Sequence, residues 1–249
     1  MTVRLSNEPA MMKKPSTPLG DRQRYLAVAI LSLGAIGFTG ILSIFPDPLF
    51  QPFFRSIPPL LAVSIIGVVG VVSLGFLSAR GWFEMAVGSE SLKGVAWSLA
   101  FATLFAVMII LADLVATFPY EHVQPPQSLL FYPAMAYVAE IVFHVLPLSL
   151  MLGLLGWLFN DRVPTGLVWL SIILASCLEP VFQLSLRPSE FLLSWVDAYV
   201  GLHIFAFNVL QLTIFRRYDF ISMYACRLLY YLYWHVMWGW ARQYMLAVS

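Results

Sequence analysis

The sequence predicts an all-α fold, a polytopic transmembrane bundle of about seven to eight helices. Three observations predict it. Of 249 residues, 60% are hydrophobic and only 11% are charged, where a soluble domain carries about 25% charge and could not otherwise cover its surface. The charges gather at intervals and leave uncharged stretches long enough to span a bilayer, which needs about 20 apolar residues per helix. No alternation of apolar and polar residues lasts long enough for a barrel strand. An ordinary soluble enzyme and a disordered chain are thereby excluded. The net charge of +1 offers no basic field for nucleic acid. Cys177 and Cys226 lie in apolar runs and form neither a disulfide framework nor a metal spacing.

Residues 1–24 read as a polar arm on the cytoplasmic side, with Arg4, Lys13, Lys14, Arg22 and Arg24 against Glu8 and Asp21. The first span is Tyr25 to Pro46, uncharged for 22 residues and without a cleavage-site pattern, so it reads as retained. The second is Pro59 to Ala79, between Arg55 and Arg80, and the third is Gly94 to Phe118, with Asp113 near its far end. Residues 25–128 thus hold the N-terminal spans. The fourth runs from Leu129 to Phe159 around Pro147, the fifth from Thr165 to Leu186 with Glu179 and Pro180, the sixth from Phe191 to Phe215, and the seventh from Phe220 to Leu246 around Arg227. Residues 129–249 form the part that carries the polar site.

Lys and Arg placement predicts orientation. With the N-terminus inside, ten cations fall on the inner side and three, Arg55, Arg187 and Arg242, on the outer side. The chain therefore reads as an integral, multi-pass protein of a bacterial or organellar inner membrane, with lipids as its first partners. A short re-entrant piece in Asp47–Pro58 would change the position of the C-terminus. Gly34, Gly37 and Gly40, and Gly67 and Gly70, lie three apart and predict close helix packing.

An ionisable group inside a bilayer costs at least about 2.5–3.5 kcal/mol, so each needs a reason. Glu140 and His144 are four apart and share a helix face. Counted at about 1.5 Å per residue from the span ends, Glu140, His203 and His235 lie roughly 16–18 Å deep, and Glu179 about 21 Å from the opposite face. One carboxylate and two imidazoles on three helices thus share one level, and Glu140 beside His144 reads as a carboxylate base able to take a proton from water. The structural alternatives are a self-neutralising Glu140–His144 pair, a packed His203 bonded to a neighbouring helix, and a His235 in an aromatic belt. Arg227 reads as the partner of a buried carboxylate such as Glu179, and Asn208, five residues after His203, as structural. His122, in a polar loop, reads as solvent-exposed.

The residues 130–240 resemble the CPBP family, the CAAX-protease and bacteriocin-processing intramembrane proteases. The stretch Ala139–His144 (AEIVFH) stands where the family has EExxxR. Tyr199-Val-Gly-Leu-His203 matches an aromatic followed after three residues by His, and Phe215-Arg-Arg-Tyr-Asp219 matches the basic turn that follows. His235, 32 residues after His203, stands at the first position of the last motif, HxxxN. The sequence departs from the pattern at Ala139, His144 and Gly239.

The resemblance implies an intramembrane endopeptidase that cleaves a membrane-associated peptide or protein, prenylated or bacteriocin-like, through water activated by Glu140. His203 and His235 would assist, and His144, Glu179, Asn208 and Arg227 would support them. No cofactor is expected; Glu140, His203 and His235 would also suffice for a zinc ion with an open position. The departures support the alternative, a non-catalytic membrane scaffold or pseudoprotease subunit of a membrane complex. A transporter or a haem or quinone protein is a third reading of buried His and carboxylates.

Overall fold

The computed structural model describes residues 20–45, 49–116, 118, 122–185 and 194–248. The cations of residues 4–14, Asp47, Arg187 and the expected start of the sixth span at Phe191 lie outside them. Every regular element among the described residues is helical: α1 (Asp21–Leu42), α2 (Gln51–Phe54), α3 (Pro59–Ala79), α4 (Ser89–Ala116), α5 (Ser128–Ala139), a π-helical turn π1 (Glu140–Val145), α6 (Leu146–Leu158), α7 (Thr165–Ser185), α8 (Trp195–Arg217), α9 (Phe220–Tyr231), a second π segment π2 (Leu232–Trp238) and α10 (Gly239–Val248).

Six of the helical runs are long and apolar enough to cross a membrane: α1, α3, α4, the continuous α5–π1–α6, α7 and α8. The seventh expected span is present as the unbroken run α9–π2–α10. It is long enough to cross, but Arg227, His235 and its tyrosines make it less apolar than the six. The piece Asp47–Pro58 contributes only the four-residue α2 among its described residues.

Local chemistry accounts for the boundaries. Pro59 opens α3 where its missing N–H costs nothing, and Gly81, at φ +66°, closes it by letting the Gly81 and Trp82 amides turn back to Ser78 and Leu77. Ser194 and Asp197 cap α8 reciprocally. Asp219 caps α9 by accepting from the Ser222 amide and hydroxyl at 2.8 and 2.7 Å. It also accepts the Val87 amide at 2.9 Å, so one buried carboxylate ties the 83–88 loop to the start of α9.

Two apolar clusters fill the bundle. One joins α1, α3, α5, π1 and α6 with parts of α7, α8 and the start of α9. The other joins α4, α8, α9 and π2. The outward faces stay apolar, as at Val68 (66% exposed) and Val115 (82%), which suits contact with lipid.

The glycine rows divide. A Cβ at Gly67 would meet Ile36 and Ser32 of α1, and one at Gly70 would lie 2.8 Å from Tyr137 and Ile141, so these two do let helices approach. Gly34 and Gly37 face open space and Gly40 makes only ordinary contact, so the expected close packing along α1 is corrected to the α3 row. A three-residue spacing marks a small-residue face without saying which way the helix is rotated.

Candidate functional site

The site is built around Arg227, which α9 carries into the middle of the bundle with 2% exposure. Its Nε donates to Glu140 Oε1 at 2.5 Å. Its two terminal nitrogens grip Glu179 in a fork, Nη1 to Oε1 and Nη2 to Oε2, both at 2.9 Å. Nη2 also donates to Asn208 Oδ1 at 3.1 Å and Gln211 Oε1 at 3.0 Å, and Nη1 to the Tyr231 hydroxyl at 3.3 Å. The rings of Phe207 and Tyr231 lie 6.0 and 5.7 Å from the guanidinium carbon, within cation–π range. The planar fork of arginine is suited to this arrangement, since it satisfies a carboxylate with two parallel bonds and still has a third face for the second acid.

Glu140 opens π1. Its Oε1 accepts from Arg227 and from Gln211 Nε2 at 2.7 Å, and its Oε2 lies 2.6 Å from His144 Nδ1. A carboxylate partner requires that Nδ1 carry the proton. The π turn sets this pair: the Leu146 amide reaches back five residues to Ile141, and Pro147, just inside α6, donates no N–H into the turn. Glu140, His144, Asn208 and Gln211 have no exposed surface.

Pro180 has a use beside Glu179. Lacking an N–H, it leaves the Ser176 carbonyl, four residues earlier, without its helical donor, and the Asn208 amide supplies one at 3.3 Å. Helix α7 stays continuous across Pro180 instead of breaking there. Asn208 therefore reads both a helix defect and the guanidinium.

The structure brings together Glu140, His144, Glu179, Asn208 and Arg227 of the expected residues. It does not bring His203 and His235 to them. His203 Nε2 bonds the Tyr230 hydroxyl of α9 at 3.2 Å and packs edge-on against Phe105, in the second apolar cluster. His235 Nδ1 lies 3.1 Å from His122 Nδ1, and its ring stacks on Tyr132 at 4.6 Å. The shared depth counted from the span ends thus becomes two separate environments beside the ionic cluster. Rotation about each helix axis, which a depth count ignores, decides which way a side chain points.

His122 corrects a second expectation, since it is half-buried against Trp234 and His235 rather than exposed. Burial, and after it Arg242, pulls its imidazole down to about 4, with Asp113 opposing the shift. Gly239, at the family's Asn position, has a structural reason to be glycine: a Cβ there would lie 2.9 Å from the His122 side chain.

Nearby, Asp113 accepts the Phe118 amide at 2.8 Å and the Trp238 indole at 2.7 Å, and pairs with Arg242 Nε at 3.2 Å. Gln211, Tyr230 and Tyr231 are the neighbours that sequence reasoning passed over. Gln211 had a signal, since it lies three residues after Asn208 inside an apolar span.

Among the described residues, no three His, Cys, Asp or Glu side chains converge as a metal site requires. Glu140, His203 and His235 each face different partners, so this set does not fit the zinc ion that the resemblance allowed. No family model, curated protein or solved structure matches the chain.

Proposed function

We propose that this chain is a non-catalytic multi-pass membrane protein, a scaffold or pseudoprotease-like subunit with the motif order of the CPBP proteases and a structural use for their acid. One observation carries the reading: both oxygens of Glu140, the expected base, are occupied by Arg227, Gln211 and His144. A general base needs a lone pair within reach of a water or of the proton it takes. Here the carboxylate instead holds π1 against α8 and α9. The Ala139, His144 and Gly239 departures agree with this use. In the same reading the N-terminal arm lies on the cytoplasmic side, as the ten-to-three distribution of cations favours.

The test is a peptidase measurement in nanodiscs with fluorogenic membrane-anchored peptides, prenylated and bacteriocin-leader-like, on wild type and Glu140→Gln. The expected result is no turnover above empty nanodiscs for either protein, with a lower melting temperature for the variant. Cleavage by the wild type that disappears in Glu140→Gln overturns the proposal and installs the intramembrane endopeptidase in its place.

A further inference from the structure

One end of the bundle gathers cations and spends its acids unevenly. The starts of α1, α4, α7 and α9 share it with the ends of α3, α6 and α8. Arg24 of α1 pairs there with Glu84, Arg80 pairs with Asp161 after α6, and the Phe220 amide at the start of α9 donates to the Glu84 carbonyl. Lys93 at the start of α4 has Glu90. Arg216 and Arg217, the last two residues of α8, have no such partner: among the described residues no carboxylate lies within ion-pair distance of either.

Arg216 is held in place without being satisfied. Its guanidinium carbon lies 4.9 Å from the ring centre of Trp169, one turn into α7. Stacking on an indole fixes the plane of the guanidinium. Its Nη1 is turned into the protein. Its Nε and Nη2 also lack an acceptor, but they are not enclosed. These two nitrogens share one edge of the guanidinium, whose parallel N–H bonds fit two oxygens of a single anion. The open edge, rather than the enclosed nitrogen, is the receptive part.

The surface beside that edge is apolar. Trp169, Leu170, Ile173 and Leu174 are between 38% and 50% exposed and carry the outer face of α7 into its membrane-crossing part. Trp169 sits at the helix end, where an indole suits the boundary between headgroups and acyl chains. Two uncompensated cations, one with a fixed two-donor edge, thus stand at a bilayer boundary above an apolar helix face. That arrangement matches an amphiphile whose polar end is negative.

We propose that the end of α8 binds an anionic glycerophospholipid. Its phosphate oxygens accept from Nε and Nη2 of Arg216, Arg217 supplies the second positive charge, and an acyl chain lies along Leu170 and Ile173 of α7. A zwitterionic lipid would bring its own cation against Arg217, so net charge decides which lipid is kept. The site depends neither on the chemistry of Glu140 nor on which leaflet this end faces.

The experiment is native mass spectrometry of the delipidated full chain titrated with a phosphatidylglycerol and with the phosphatidylcholine of the same chains. Wild type is expected to retain phosphatidylglycerol about tenfold better, as attraction to two boundary cations implies. Arg216→Gln is expected to cut that preference to about threefold or less. Lys93→Gln, which removes a cation that already has an acid, is expected to leave it unchanged. Equal retention of the two lipids by wild type overturns the proposal whether or not the variants fold. A full preference in a folded Arg216→Gln, or an equal loss in Lys93→Gln, overturns the site. Displacement of the retained lipid by millimolar inorganic phosphate overturns the lipid as its ligand.

Discussion

Arg227 and Arg242 sit on one continuous helical run, are almost equally buried, and are used in opposite ways. All three nitrogens of Arg227 are engaged, by two carboxylates, two side-chain amides and a tyrosine hydroxyl drawn from four elements. Arg242 has one carboxylate and one carbonyl, and one nitrogen left over. The first region is saturated and enclosed by rings; the second is enclosed too, but leaves one nitrogen without an acceptor. The difference teaches that buried charge in a membrane bundle can be held to unequal completeness. Unpaired donors are costly when buried, so the saturated cluster contributes more to the fold than the half-satisfied one.

The largest expected effect breaks the saturated region. Arg227→Met leaves Glu140 and Glu179 buried together without their cation. Removing one partner of a buried ionic group costs about 3–5 kcal/mol, so the variant is expected to lose its folded monodisperse peak in detergent size-exclusion chromatography. A normal peak and melting temperature would mean that the cluster does not hold the bundle.

Glu140→Gln is expected to be milder, about 1–3 kcal/mol by melting temperature, because Arg227 keeps its fork to Glu179 and the amide oxygen can still accept. A loss as large as that of Arg227→Met would place the weight of the cluster on Glu140 instead of Arg227. At the other end, Asp113→Asn keeps one acceptor oxygen where the carboxylate offers Oδ1 to the Phe118 amide and Oδ2 to the Trp238 indole, so it retains one of these bonds and weakens the Arg242 pair. About 1 kcal/mol is expected there, read as faster hydrogen exchange at Phe118 with the centre of the bundle unchanged.

The smallest effect is a pH response confined to the same end. In its packed place His122 titrates at about 4, whereas a free imidazole titrates near about 6.5. Between those values an opened loop binds a proton that the packed one does not, so the packed state is most favoured above the upper value and loses ground as pH falls toward the lower one. Among the described residues, His235, Arg242 and Asp113 are titratable or charged groups around it. Hydrogen exchange at Val123, whose amide donates to the Tyr132 hydroxyl, should quicken on acidification from pH 7 to 5, and His122→Asn should remove that dependence. A pH-independent rate in wild type would show that the loop does not open at His122.

Much of the fold could be read from the chain. The second span, Pro59 to Ala79, coincides with α3, and the fifth ends one residue past α7. Glu140 with His144, and Arg227 with Glu179, follow from spacing and from the need of each buried charge for a partner. His203 and His235 show where such reading stops. Both are turned away from the ionic cluster, one to Tyr230 and one to a loop histidine 113 positions earlier.

What the amino-acid sequence determined alone is what the bilayer enforces on any chain: long apolar runs become helices because a helix satisfies every backbone hydrogen bond within one segment, and charges bound them. What only the tertiary structure decided is which polar side chains meet. That depends on the rotation and offset of each helix, set by contacts such as Gly70 against Tyr137, the π turn before Pro147 and Asn208 on the carbonyl that Pro180 leaves free. These are long-range packing results, and no local pattern of residues encodes them.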